Sequence, residues 1–207
     1  LSTTLDWHAI DLRWELNATP FYTHVVDYID ATKRTGWKAN TFNVLQYQNQ
    51  SARIYGIDLS GKIDLGSNAL GEWELQGLFN YSNGENRDTG DNLYNIMPLN
   101  GKLILNQQYQ GWYNSLEWVM VNGKEEFSEV RNEIETPGYM LLNLRASRTW
   151  KQVQVDLGVE NLFDHFYYLP TGGTYLGQSS TMILNPATCV PACCSAVPFL
   201  VRSFCAV

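Results

Sequence analysis

Between Gly138 and Pro170 the chain reads GYMLLNLRASRTWKQVQVDLGVENLFDHFYYLP, and in two stretches of it every second residue is apolar. Met140, Leu142, Leu144 and Ala146 fall on one face, with Asn143, Arg145 and Ser147 among those on the other. After Trp150-Lys151-Gln152, which reads as a tight turn, Val153, Val155, Leu157 and Val159 share a face opposite Gln154, Asp156, Gly158 and Glu160. A period of two is that of a strand, whose side chains alternate between the faces of a sheet. One face is greasy and the other wet. In a soluble sandwich the greasy face packs on a second sheet; in an outer-membrane barrel it meets lipid while the polar face lines the lumen. Alternation alone does not choose between them.

The same signal recurs along the chain. Ile10, Leu12, Trp14, Leu16 and Ala18 alternate with Asp11, Arg13, Glu15 and Asn17, predicting a strand that continues to about Tyr28, with a bulge or a local break in pairing at Pro20. Asp30 to Asn40 reads as a polar loop. A second strand is expected from about Thr41 to Leu65, with Tyr55, Ile57, Leu59, Ile63 and Leu65 opposite Asp58, Ser60, Lys62 and Asp64, and a short turn over Gly66 to Gly71. Trp73, Leu75, Gly77, Phe79 and Tyr81 form the next apolar face, and Ser82 to Asn92 is rich enough in turn formers to be a loop. Leu103, Leu105 and Tyr109 mark a descending strand, Gln110-Gly111 a tight turn, and Leu116, Trp118 and Met120 an ascending strand. Gly123 to Glu135 is a long acidic loop. Long loops therefore alternate with short turns, as in outer-membrane barrels, which keep short turns at the periplasm and long loops outside.

Composition narrows the choice. The 12 Tyr and 7 Trp suit girdles at two bilayer interfaces, because their rings are apolar and their O–H or N–H groups seek water. A net charge of -7 without a basic stripe argues against nucleic acid, which requires clustered Lys and Arg. No apolar run reaches the roughly 18 residues of a spanning helix, so any crossing is by strands. Leu1 opens the chain without an export signal, from which a processed chain or a fragment is expected.

The run GVENLFDHFYYLP (Gly158 to Pro170), with the GYMLLNLRAS strand before it, resembles the end of the barrel of TonB-dependent outer-membrane receptors. So do Pro20 to Asp30 (PFYTHVVDYID), Ala52 to Leu59 (ARIYGIDL) and Leu93 to Asn100 (LYNIMPLN), in the family's order, over roughly residues 10 to 178. The resemblance implies an all-β fold, an antiparallel up-and-down transmembrane β-barrel, here a partial barrel of about seven to eight strands. The family's barrel has about 22 strands around an N-terminal plug, so residues 1–180 would be its C-terminal portion and residues 181–207 an atypical cysteine-containing tail. It further implies import of a metal chelate such as a siderophore, a TonB complex engaged through a region absent here, outer-membrane lipid as surroundings, a Gram-negative outer membrane as location, and no cofactor. The family pattern would end in a last strand with a terminal aromatic residue, faintly present in Ala196-Val197-Pro198 and Arg202-Ser203-Phe204. Cys189, Cys193, Cys194 and Cys205 lie there in a C-x3-C-C pattern. That spacing suggests a metal site or disulfides, and comparison with the family suggests instead a shifted reading frame or degraded gene end.

Enzymatic chemistry has few candidates. His24 and Asp27 lie three apart, which in a strand puts them on opposite faces unless a bulge intervenes; Asp164 and His165 are adjacent and also opposed. His8 shares a side with Asp6 but has no nucleophile near it in sequence. No catalytic residue and no cofactor-binding or metal-binding residue is assigned, although His24, Asp27 and Asp30, or Asp164 and His165, sit near the outer ends of strands where a metal complex could lie. The motif Asn161, Leu162, Phe163, Asp164 with Tyr167 reads as structural, with Asn161 at a bulge and, on the family pattern, on the penultimate strand. Phe166 and Tyr168, around Tyr167, are expected at the outer aromatic girdle, and Trp112 and Trp150 at the inner one. Other readings are a self-contained small outer-membrane barrel with a structural or adhesive role, a soluble β-rich binding module, and an outer-membrane hydrolase.

Overall fold

The alternation is realised as one large sheet. The structure is a computed structural model that describes residues 1–39, 42–150, 153–171, 177–178 and 181–188, and all its regular elements are strands: β1 (Ser2–Thr4), β2 (Trp7–Ile10), β3 (Trp14–Ala39), β4 (Phe42–Asn68), β5 (Gly71–Asn86), β6 (Asn100–Tyr109), β7 (Trp112–Val121), β8 (Tyr139–Trp150), β9 (Val153–Glu160), β10 (Tyr167–Tyr168), β11 (Gly177–Gln178) and β12 (Thr181–Thr188). Ten of them form an antiparallel sheet in the order β1-β3-β4-β5-β6-β7-β8-β9-β12, with β2 beside β1 on the same flank of β3; β10 and β11 make a small separate hairpin. Among the described residues the β1/β2 edge and the β12 edge do not meet, so the sheet is an open section of barrel wall.

Register explains why the pattern folds this way. Trp14 pairs with Ile63, Ile63 with Leu75, Leu75 with Leu105, Leu105 with Leu116, Leu116 with Leu144 and Leu144 with Val159, so one row of apolar residues runs across seven strands. Because the side-chain period is two, a slip of one residue at any pairing would throw that strand's apolar set onto the polar face. The greasy face has no second layer over it: Ile63 is 46% exposed, Trp118 45% and Met140 61%. Among the described residues buried hydrophobics are few, and a cluster of them, Val121, Tyr139 and Leu141, lies on the opposite face. A soluble sandwich cannot leave such an apolar band in water.

Strand length separates the membrane-crossing part from the rest. β6 and β7 have 10 residues each, close to the 9 to 11 or so that cross a bilayer at a tilt. β3 and β4 have 26 and 27 and must project well beyond it at about 3.3 Å per residue. The polar segment from Asp30 onward is accordingly not a loop: β3 runs to Ala39 and pairs with Phe42 at the start of β4. Polar composition there reflects strand that has left the apolar band. For the same reason β5 extends through Ser82 to Asn86, inside the segment expected to be loop.

Two other boundaries differ from expectation. Residues 11–13 form a hairpin turn between β2 and β3, closed by the Asp11 N–H on the Trp14 carbonyl at 2.8 Å, so the alternation from Ile10 to Leu12 bridges two strands. β4 continues through a register shift at Asp64/Gly66 to Asn68, leaving only Ala69 and Leu70 between it and β5. Pro20 leaves the β3–β4 ladder intact, pairing with Ile57. Its carbonyl accepts from the Leu5 N–H at 3.1 Å, so its missing N–H faces that same neighbour, and the partner strand breaks there into β1 and β2. The β3–β4 ladder shifts register instead between Val25 and Tyr28, and again between Lys33 and Lys38.

Gln110 and Gly111 both have positive φ, 49° and 78°, which a two-residue turn matched to strand twist requires. The 11–13, 69–70 and 110–111 turns share one end of the sheet; the 87–99, 122–138 and 161–171 segments share the other. The Lys151-Gln152 part of the next turn, the four cysteines and the segment from Cys189 to Val207 lie outside the described residues. The last described strand is β12, paired along β9 from Thr181 with Glu160 to Thr188 with Val153.

Candidate functional site

The inner face carries a ladder of polar side chains because each strand contributes one every second residue. Lys62 pairs with Glu15 at 2.9 Å, Lys102 with Glu117 at 3.7 Å and Arg145 with Glu160 at 3.1 Å. Asn143 donates to Glu117 at 2.7 Å, and Gln76 and Asn106 donate to Glu74 at 2.6 and 3.3 Å. Exposed pairs like these add at most about 1 kcal/mol each; their effect is to make this face hydrophilic and neutralise its charges. Toward the long-loop end Lys102, Glu117, Asn143, Arg145 and Glu160 line a pocket of about 370 Å³ with Tyr139, Tyr167 and Met97 on its wall. Burial pushes the Tyr167 phenol above its ordinary pKa, and nearby Glu160 adds to this, so the group stays a neutral donor there.

Above the pocket, the long segments are tied together by buried charge. Lys124, 1% exposed, meets Glu133, 8% exposed, and its Nζ also reaches the Pro170 carbonyl at 3.4 Å. Glu133 accepts from the backbone N–H groups of Ser128 at 2.9 Å and Asn95 at 3.1 Å. One ion pair thus touches three segments: 87–99, 122–138 and 161–171. A second link runs from the same loops to the projecting strands. Asp30 accepts from Asn86 at 2.9 Å and pairs with Arg131 at 3.2 Å, and the Arg131 guanidinium rests over the rings of Tyr47 and Tyr94 at 5.6 and 5.0 Å. Asp91 accepts from the Ser128 hydroxyl at 2.8 Å.

The residues singled out in the sequence separate into distinct places. Asp30 is buried in the link just described rather than on a solvated rim. Asp27 is exposed at the first of the β3–β4 register shifts, and His24 sits opposite Arg53 on the ladder. The His8 ring lies against Asn17. No group of three or more His, Cys, Asp or Glu converges among the described residues.

Asn161 is not on a strand: β9 stops at Glu160, and the Asn161–Asp164 motif is the turn that follows. Asn161 and Asp164 have φ of 55° and 50°, a conformation Asn and Asp tolerate best among residues with a side chain. The Asn161 side chain accepts from the His165 N–H at 2.9 Å and donates to the His165 carbonyl at 2.7 Å; its own N–H donates to Asn143 at 2.8 Å. Leu162 and Phe163 are exposed. Tyr167, three residues past Asp164, stacks on Tyr139 at 4.4 Å, and Phe166 meets Tyr168 edge-on at 5.2 Å. At the short-turn end Trp112 and Trp150 meet edge-on at 5.9 Å. Sequence reasoning passed over Lys124, Glu133 and Arg131, which carry no local pattern and find their partners only in the fold.

An open antiparallel meander with an exposed apolar face, a hydrophilic inner face and all long loops at one end is a section of outer-membrane barrel. The family model described as TonB dependent receptor-like, beta-barrel, matches residues 2–162. The chain belongs to this family. It is therefore a Gram-negative outer-membrane protein, and the apolar row from Trp14 to Val159 lies on the outward face of its barrel wall. Among solved structures, the copper transporter OprC is similar over 86% of this chain and 29% of its own, at 22% identity and a TM-score of 0.71. The FrpB iron transporter of Neisseria meningitidis matches over 86% and 29%, at 14% identity and a TM-score of 0.62. The ferric yersiniabactin uptake receptor FyuA of Yersinia pestis matches over 89% and 27%, at 18% identity and a TM-score of 0.61. The chain thus spans under a third of the length of these receptors. No curated protein matches it in sequence.

Proposed function

We propose that this chain forms the C-terminal part of the barrel wall and the outer loops of a TonB-dependent importer of a metal chelate such as a siderophore. The observation that carries the reading is the polar pocket beneath an outer-loop cluster held by the Lys124–Glu133 pair. It offers cations, carboxylates and phenols to a polar ligand arriving from outside. The solved neighbours, a copper transporter, an iron transporter and a ferric yersiniabactin receptor, support a metal or its chelate as cargo. TonB would act through a region N-terminal to this chain, and the cargo would pass without covalent chemistry. Phe166 and Tyr168 would hold the outer interface, and Trp112 and Trp150 the inner one.

The test is uptake of radiolabelled ferric and cupric chelates by cells whose only such receptor is the intact protein. Uptake of one chelate class is expected to saturate and to stop when TonB is deleted. Uptake that persists without TonB, or absence of uptake for every chelate, would contradict the proposal.

A further inference from the structure

We propose that Arg148, braced by Trp112 and Trp150, binds the phosphate of an anionic phospholipid headgroup at the short-turn side of the membrane. The inference rests on the outer-membrane placement of the chain and adds a lipid site to it.

Arg148 falls on the lipid-facing side by register. It pairs with Trp112 across β7–β8 and with Val155 across β8–β9, in the same alternation as Leu142, Leu144 and Ala146. A guanidinium on an apolar face calls for a counter-charge, since a desolvated cation without one is costly. Lys62, Lys102, Lys124, Arg131 and Arg145, which face inward or sit in loops, each have a carboxylate partner. Arg148 has no ion pair among the described residues, and its neighbours on that face, Asn114, Ala146, Val153 and Val155, bring none. What it has is aromatic support: its guanidinium carbon lies 5.3 Å from the Trp112 ring centre and 4.8 Å from that of Trp150, and those rings are locked edge to face.

This support has a chemical consequence. The rings hold the guanidinium by its charge and take none of its five N–H donors as a carboxylate would, so those donors stay available to an anion. A planar fork of donors, held at fixed depth, matches two oxygens of a phosphodiester. Depth agrees as well. Trp112 directly follows the Gln110–Gly111 turn and Trp150 ends β8 at the same end, so the guanidinium stands where tryptophan girdles mark the headgroup level. The site faces the membrane and not the lumen, which commits the anion to a lipid rather than to a soluble ligand. A net negative headgroup is favoured over a zwitterionic one, because the ammonium of the latter competes for the same phosphate.

The intact protein, purified in detergent, is titrated with phosphatidylglycerol or with phosphatidylcholine, and bound lipids are counted by native mass spectrometry. Arg148→Gln is expected to weaken the first bound phosphatidylglycerol about fivefold, the effect of one basic residue near an anionic surface, while leaving phosphatidylcholine unchanged. Arg148→Lys keeps the charge without the fork and should recover part of the loss. Arg145→Gln, on the inner face, should change neither lipid. Circular dichroism and the heat-shifted gel band establish that each variant is folded. Unchanged phosphatidylglycerol affinity in folded Arg148→Gln would overturn the proposal, as would equal loss for both lipids or displacement of phosphatidylglycerol by an equal concentration of inorganic phosphate. Failure of the wild-type protein to bind any phospholipid would instead count against the membrane placement itself.

Discussion

Lys124→Met is expected to weaken the outer-loop cluster by about 3–5 kcal/mol, the usual cost of removing one partner of a buried ion pair. The Glu133 carboxylate would remain 8% exposed, still accepting from Ser128 and Asn95 but without a counter-charge. The Pro170 carbonyl would lose its cationic donor. Since the pair touches three loop segments, they should loosen together. Hydrogen exchange at Asn95 and Ser128 is expected to accelerate by roughly 10²- to 10⁴-fold at constant global stability. Replacing both partners, Lys124→Met with Glu133→Leu, should recover much of the loss, because an apolar pair of similar volume leaves no buried charge. Acceleration confined to Ser128, with Asn95 unaffected, would show that the pair does not join the segments.

Asn161 is the second position of large effect. Asn161→Leu should destabilise the folded protein by about 3 kcal/mol. Two side-chain hydrogen bonds to His165 contribute roughly 1 kcal/mol each, and the left-handed φ of 55° costs a branched residue about 1–2 kcal/mol more. Asn161→Gly keeps the backbone conformation and loses only the side-chain bonds, so about 2 kcal/mol is expected. Denaturant midpoints of the micelle-embedded protein measure both. A glycine variant as damaged as the leucine variant would mean that the hydrogen bonds alone fix this turn.

The sheet was legible where strands have one apolar and one polar face. β5 through β9 announce themselves by alternation, which fixes their faces, while the pairing that puts Leu75, Leu105, Leu116, Leu144 and Val159 in a row is seen in the structure. The outer parts of β3, β4 and β5 were illegible for the complementary reason. Once a strand leaves the bilayer neither face has to be apolar, alternation vanishes, and Asp30 to Asn40 or Ser82 to Asn86 looks like loop. Proline was read correctly as a break in pairing but assigned to its own strand, whereas the broken ladder belongs to the neighbour that Pro20 cannot donate to. For the site, Asn161 carries a local signature in the sequence, and it ends a strand rather than bulging one. Lys124 and Glu133 look like solvated loop charges, and Arg131 reaches Asp30 across most of the sheet. Contacts of that range leave no trace in spacing.

The central claim is that the face bearing Leu116 and Trp118 meets lipid and the face bearing Ser115 and Glu117 lines the lumen. Single spin labels at these four consecutive positions of β7, in the intact protein with Cys189, Cys193, Cys194 and Cys205 replaced and reconstituted into bilayers, test it directly. Collisions with apolar oxygen should exceed those with a water-soluble nickel chelate at Leu116 and Trp118 and not at Ser115 and Glu117. A pattern without a two-residue period, or one inverted between the faces, would contradict the account.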